Sequence, residues 1–156
     1  MRNKNRGAEM VEFAIVMPAF IMIFYSIIYG AFIMHDINAL NEITRSAARY
    51  AAVETSGVTL ADKGTYITNY ISKKTKEGLF VYTVSIGTNV EVKEVDLDIG
   101  TDDGQVTTEK GMRVTINAKL QNNLPSMFIR LLPNDPKTNK PYFSEIKSEL
   151  IMRKES

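Results

Sequence analysis

The chain predicts an α+β fold in which a long N-terminal helix, first hydrophobic and then amphipathic, packs against a small antiparallel β-sheet. Three features carry that prediction. From Phe13 to Met34 no residue is charged, a run long enough to cross a bilayer as a helix. Beyond Met34 the apolar residues continue at helical spacing to about Val53. From Phe80 onward the period changes to two, the signature of half-buried strands. With 156 residues in all, about a hundred remain after the first third, near the common domain size.

The first element is MVEFAIVMPAFIMIFYSIIYGAFIM, Met10–Met34, preceded by the basic residues Arg2, Lys4 and Arg6. Basic residues flanking a span stay cytoplasmic, so the expected topology is a single pass through the cytoplasmic membrane, N-terminus inside and C-terminus outside. A secretory signal peptide has a shorter apolar core, about 7–15 residues, and a small-x-small cleavage site; neither fits this run. A soluble core helix would carry a polar stripe, and this segment has none. A generic anchor accounts for the length but leaves Glu12 unexplained, because a carboxylate in a membrane segment is costly without a partner. No lysine or arginine lies between Phe13 and Met34, so a partner from another chain is expected. Pro18 removes one helical donor and is a candidate kink. Ser26 and Gly30 form a small-xxx-small pair, a weak helix-contact signal.

Past the membrane, Ile37, Leu40, Ile43, Ala47, Ala48 and Ala51 recur at helical spacing among Asp36, Glu42, Arg45 and Arg49. His35 reads as an interfacial polar residue rather than a metal ligand, since no second ligand accompanies it. A shorter helix is expected over Leu60–Glu77, with Asp62 as its cap, Gly78 as its stop and a core-facing stripe of Tyr66, Ile67, Tyr70 and Ile71. Phe80, Tyr82, Val84 and Ile86 then alternate as one strand, and Met112, Val114, Ile116, Ala118 and Leu120 as another. Between them Val90 and Val92 are out of phase with Val95, Leu97 and Ile99, which calls for a bulge near Lys93–Glu94. Thr101–Gly104 is a turn signal, 124–136 holds a short apolar patch between prolines, 134–141 is a polar loop, and 142–153 offers a last strand interrupted by Ser148.

Composition narrows the function classes. Net charge is +1 with both signs interspersed, which argues against nucleic acid as a partner. Without cysteine there is no disulfide framework, zinc-thiolate site or cysteine nucleophile. No nucleophile elbow, phosphate loop, metal-spaced set or paired catalytic acids occurs, so neither an enzyme nor a cofactor is expected. Asp98, Asp102, Asp103 and Glu109 invite a calcium reading, but Gly100 and Asp103 fall where a calcium loop needs the reverse; a solvated hairpin turn fits better.

The segment RGAEMVEFAIVMPAF, with ITRSAARYAA at Ile43–Ala52 downstream, resembles a TadE-type pseudopilin of the tight-adherence branch of type IV pili. The resemblance covers about the first fifty residues and rests on basic leader, glycine, spaced glutamate, proline and downstream Ala/Arg-rich helix together. It implies a pilin-like head on a helical stalk, and cleavage by a prepilin peptidase between Gly7 and Ala8. Residues 1–7 would be the leader, 8–53 the long helix with its span at about 10–34, and 54–156 the extracytoplasmic head. It further implies Glu12 and Phe13 as assembly residues, Pro18 as a point of local flexibility, and other pilin subunits and the pilus assembly platform as partners. Ala8 stands where many type IV pilins have phenylalanine. The competing class is a membrane-tethered extracytoplasmic binding module that does not polymerise; such a tether needs neither Gly7 nor Glu12.

Overall fold

The computed structural model describes residues 4–53, 59–85, 89–100, 106–121, 134–137 and 143–154. The chain divides into two units, Met1–Met34 and His35–Ser156. One helix, α1 (Lys4–Ala52), contributes to both; α2 (Leu60–Gly78) and strands β1 (Tyr82–Thr83), β2 (Val90–Gly100), β3 (Val106–Leu120) and β4 (Glu145–Arg153) follow. The class is α+β, as expected.

In the first unit no side chain between Glu9 and Met34 is buried. Phe13, Phe20, Ile23 and Ile27 each expose more than half their surface. Large apolar side chains on every side of a helix are the pattern of a segment whose solvent is lipid. At ~1.5 Å per residue, Met10–Met34 rises about 37 Å, against a hydrocarbon core of ~30 Å. The helix is long and apolar enough to cross a membrane once.

In the second unit the rest of α1 turns amphipathic. Leu40, Ile43, Ala47, Ala48, Ala51 and Ala52 are buried, on the stripe that a 3.6-residue period places on one face. Thr44 is buried among them, its hydroxyl donating to Leu40 O at 2.8 Å. On α2 only Ile67 and Ile71 of the expected stripe are buried. Tyr66 is exposed and Tyr70 half-buried, so the tyrosines flank the core instead of entering it. Thr59, not Asp62, is the N-cap of α2. Its hydroxyl oxygen accepts from Asp62 N at 3.2 Å, the usual N-cap bond, and its hydroxyl donates to the Asp62 carboxylate at 2.6 Å. The partly buried Lys63 ammonium donates to Val53 O, just past the end of α1, where a cation offsets unpaired carbonyls.

β3 is the central strand of an antiparallel sheet. Ile116 pairs with Val90 of β2 and Ser148 of β4, and Lys119 with Thr83 of β1 and Glu145 of β4. β1 and β2 therefore share one edge of β3, and β4 takes the other. On β3, Gly111 and Thr115 are buried on one face, and Met112, Val114, Ile116 and Ala118 on the other. Ser148 shares their face, and its hydroxyl donates to Asn41 Oδ1 of α1 at 2.8 Å. The polar interruption of β4 is thus a helix contact.

Two strand expectations fail. β2 runs in unbroken register from Val90↔Ile116 to Gly100↔Val106, with no bulge at Lys93–Glu94. Val90 and Val92 lie on the core face, while Val95 and Leu97 point to the other side. Gly111 makes room there: a Cβ at this position would lie 2.5 Å from Leu97 Cδ1. The strand around Tyr82 is also far shorter than its alternation implies, and the amides of Phe80, Val81 and Tyr82 bond to Asp36 of α1. The 101–104 turn and the 124–133 patch lie outside the described residues.

Candidate functional site

The residues expected for processing and assembly all lie on the N-terminal part of α1. Gly7 is helical and exposed, with nothing within 4 Å of where a Cβ would be. Ala8 follows it in the helix. Glu12 and Phe13 are exposed, five and six residues beyond Gly7, so Glu12 lies about 7.5 Å along the axis from Gly7. Among the described residues Glu12 has no ion pair or side-chain hydrogen bond. Pro18 sits inside α1, and helical structure continues through it. Ser26 bonds back onto its own helix, donating to Met22 O at 2.8 Å.

A second polar site was not foreseen: Asp36, two residues past the apolar run. Its side chain is fully buried. It accepts from three consecutive backbone amides, Phe80 N at 3.0 Å, Val81 N at 2.7 Å and Tyr82 N at 3.0 Å. The exposed His35 ring places Nδ1 3.4 Å from the same carboxylate and packs on Phe80 with centroids 5.0 Å apart. Successive amides aimed at one carboxylate form an anion nest, and charge-assisted bonds of this kind are the strong ones. This accounts for the late start of β1: the amides of Phe80 and Val81 bond to α1 rather than to a strand. The neighbouring connections complete the clasp. Gln121 N donates to Val81 O at 2.9 Å, Leu120 N to Ser144 O at 2.9 Å, and Tyr82 Oη–H to Phe143 O at 2.6 Å. Phe143 itself adopts the left-handed region, φ 68°, uncommon for a bulky residue. The sequence held one signal for Asp36: it falls four, seven, eleven and fifteen residues before Leu40, Ile43, Ala47 and Ala51, on the buried stripe rather than among the polar positions.

Around α2, Ser46, Ala47, Tyr50, Tyr66, Ile67 and Tyr70 line a depression of about 180 Å³, below the roughly 300–1,000 Å³ typical of small-molecule sites. Tyr50 stacks on Tyr66 across it, centroids 4.4 Å apart. An adjoining groove is lined by Tyr66, Asn69, Tyr70, Lys73, Lys74 and Glu77. Of the carboxylates considered for calcium, Asp98 accepts from the Thr108 hydroxyl at 3.3 Å and Glu109 from Arg153 Nη2 at 2.6 Å. Asp102 and Asp103 lie outside the described residues.

With this geometry in place, comparison with known proteins bears on the N-terminal part alone. Residues 7–49 match the family described as TadE-like protein, a little over a quarter of the chain. The match begins at Gly7 and takes in Glu12, Phe13, Pro18 and Asp36, so the family resemblance read from RGAEMVEFAIVMPAF holds over nearly the same stretch. No curated protein and no solved structure matches the chain.

Proposed function

We propose that this protein is a structural minor pilin or pseudopilin of a tight-adherence pilus system, processed after Gly7 and used in pilus biogenesis and surface attachment. The observation that carries the reading is the coincidence of the TadE-like match over residues 7–49 with a helix that is exposed and apolar along its membrane-length run, yet bears one acid at its start.

Glu12 is what a mere tether does not need. Cleavage after Gly7 would create an α-amino group at Ala8, positively charged near neutral pH. Packed beside a neighbouring helix, Glu12 of one subunit would pair with that amine of the next and set the axial register. Inside lipid such a pair is strongly felt when one partner is removed. The cytoplasmic membrane holds the subunit until assembly, the prepilin peptidase and assembly platform are its expected partners, and the head lies outside the cytoplasm.

Two variants test this. Glu12→Ala should insert and be cleaved normally but fail to assemble with pilus subunits, as read by co-purification from sheared surface fractions. Gly7→Leu should keep its leader, giving an unprocessed intact mass. Wild-type assembly of the first, or an N-terminal sequence starting at Met1 in cells with an active peptidase, would sink the proposal.

A further inference from the structure

Within the second unit α2 runs antiparallel to the rest of α1. Lys63 donates to Val53 O, Tyr66 stacks on Tyr50, and the residues just past the end of α2 bond to Asp36. Fourteen residues separate Tyr66 from Phe80, as fourteen separate Tyr50 from Asp36, so α2 and its exit keep step with α1 over about 20 Å of helix at ~1.5 Å per residue. By sequence, Asp36 stands two residues, about 3 Å of helix, past Met34, where the apolar run ends. The Asp36 clasp therefore holds the C-terminal end of α2 at the level where the apolar run stops.

That end is basic and carries an exposed aromatic. Lys73, Lys74 and Lys76 fill three of four consecutive positions and are all exposed, with Glu77 the one acid beside them. Among the described residues none of the three lysines has an ion-pair partner. Phe80 leaves 60% of its surface exposed although its amide is held by Asp36, and its ring packs only on the exposed His35 among the described residues. A single cation would serve the helix dipole. Three, beside a phenylalanine held outward, are the chemistry of a surface that meets anions over an apolar layer.

We infer that the end of α2 and Phe80 dock on the bilayer itself, on the leaflet that the head faces. The lysine ammonium groups bind the phosphates of anionic lipid headgroups, their stems lying along the apolar boundary, and the Phe80 ring enters the headgroup layer. The occupant is lipid because the clasp ties this surface to a residue directly beyond the membrane-length run, and because its charge complements an anionic leaflet. Docking would fix the head's tilt on the membrane. The inference rests on the reading of Met10–Met34 as the membrane span and adds a lipid-binding surface to it.

The test uses the full-length chain in lipid nanodiscs, one chain to a disc. The absence of native cysteine allows a fluorophore at Glu77→Cys, beside the lysines, or at Ala61→Cys in the first turn of α2. A nitroxide on the lipid headgroup quenches a fluorophore that touches the surface. The label at 77 should be quenched at least about threefold more in phosphatidylcholine discs with roughly 30% phosphatidylglycerol than in phosphatidylcholine alone, and the label at 61 equally in both. Lys73→Gln, Lys74→Gln and Lys76→Gln together should abolish the difference at 77 with the head's melting unchanged, since glutamine matches lysine in helix propensity. Raising salt to about 1 M, where the Debye length is ~3 Å, should do the same without any substitution. Equal quenching in the two lipids, or a difference that survives the glutamines or the salt, would overturn the inference. So would a difference seen only in discs holding two chains, which would assign the surface to a second copy. A chain that stays outside the discs fails the membrane reading as well, whereas one that enters them without a lipid preference fails here alone.

Discussion

Met10–Met34 and His35–Ala52 are carried by one helix, α1, yet their side chains obey different solvents. In the first stretch nothing is buried, and phenylalanine, isoleucine and methionine face outward on all sides. In the second, burial falls on one stripe, and the residues there shrink to alanine at Ala47, Ala48, Ala51 and Ala52. Lipid imposes no facing preference on an apolar helix, so its sequence is uniformly apolar. A sheet on one side and water on the other impose a period. The changeover falls at His35–Asp36, where a buried carboxylate ties the helix to the entry of the sheet.

The comparison breaks most visibly at Asp36. Asp36→Ala strands three amides, those of Val81 and Tyr82 buried and that of Phe80 partly so, and an unsatisfied buried donor costs about 1–3 kcal/mol; a loss of roughly 2–5 kcal/mol from the head is expected, read as a lower denaturant midpoint. Asp36→Asn, keeping one acceptor oxygen, should lose less. Next, the same truncation should have opposite meanings in the two halves. Leu40→Ala should destabilise the head by about 2–5 kcal/mol, while Ile27→Ala should leave its melting within about 0.5 kcal/mol of wild type. Equal effects would mean that the two halves do not differ in solvent.

Within the sheet, Gly111→Ala should cost about 1–3 kcal/mol by overpacking Leu97, and Leu97→Ala in the same chain should recover part of it. A thermal melt of the single and double variants measures the coupling. The smallest effect is expected at Glu149. Its carboxyl is held below the ordinary 4.5 by the Lys147 hydrogen bond, 2.5 Å away, and by the charges of Lys147 and Arg113, against some desolvation. A depressed folded-state pKa stabilises above 4.5, and that contribution is lost as pH falls through the lowered value. Glu149→Gln should therefore melt slightly below wild type at pH 7 and alongside it at pH 2, the gap at pH 7 narrowing with salt.

Much of this protein is legible in one dimension because the forces involved are local or periodic. The uncharged run after Phe13, the stripe from Leu40 to Ala51, the alternation in β3 and the Gly7–Glu12 spacing depend only on neighbours along the chain. So does the cap region of α2, although the cap itself falls to Thr59 because its hydroxyl reaches Asp62 N. Tertiary structure alone decided the rest. The phase change in β2 reads as a bulge until Gly111 is found opposite, allowing Leu97 to cross to the outer face with the register intact. The alternation around Tyr82 reads as a full strand, but Asp36, forty-four residues away from Phe80, takes the amides with which that strand would have begun. Ser148 reads as a fault in β4 until Asn41 meets it. In each case the missing term is a partner distant in sequence: periodicity tells which side chains seek burial, and only the folded chain tells which polar groups will be there to meet them.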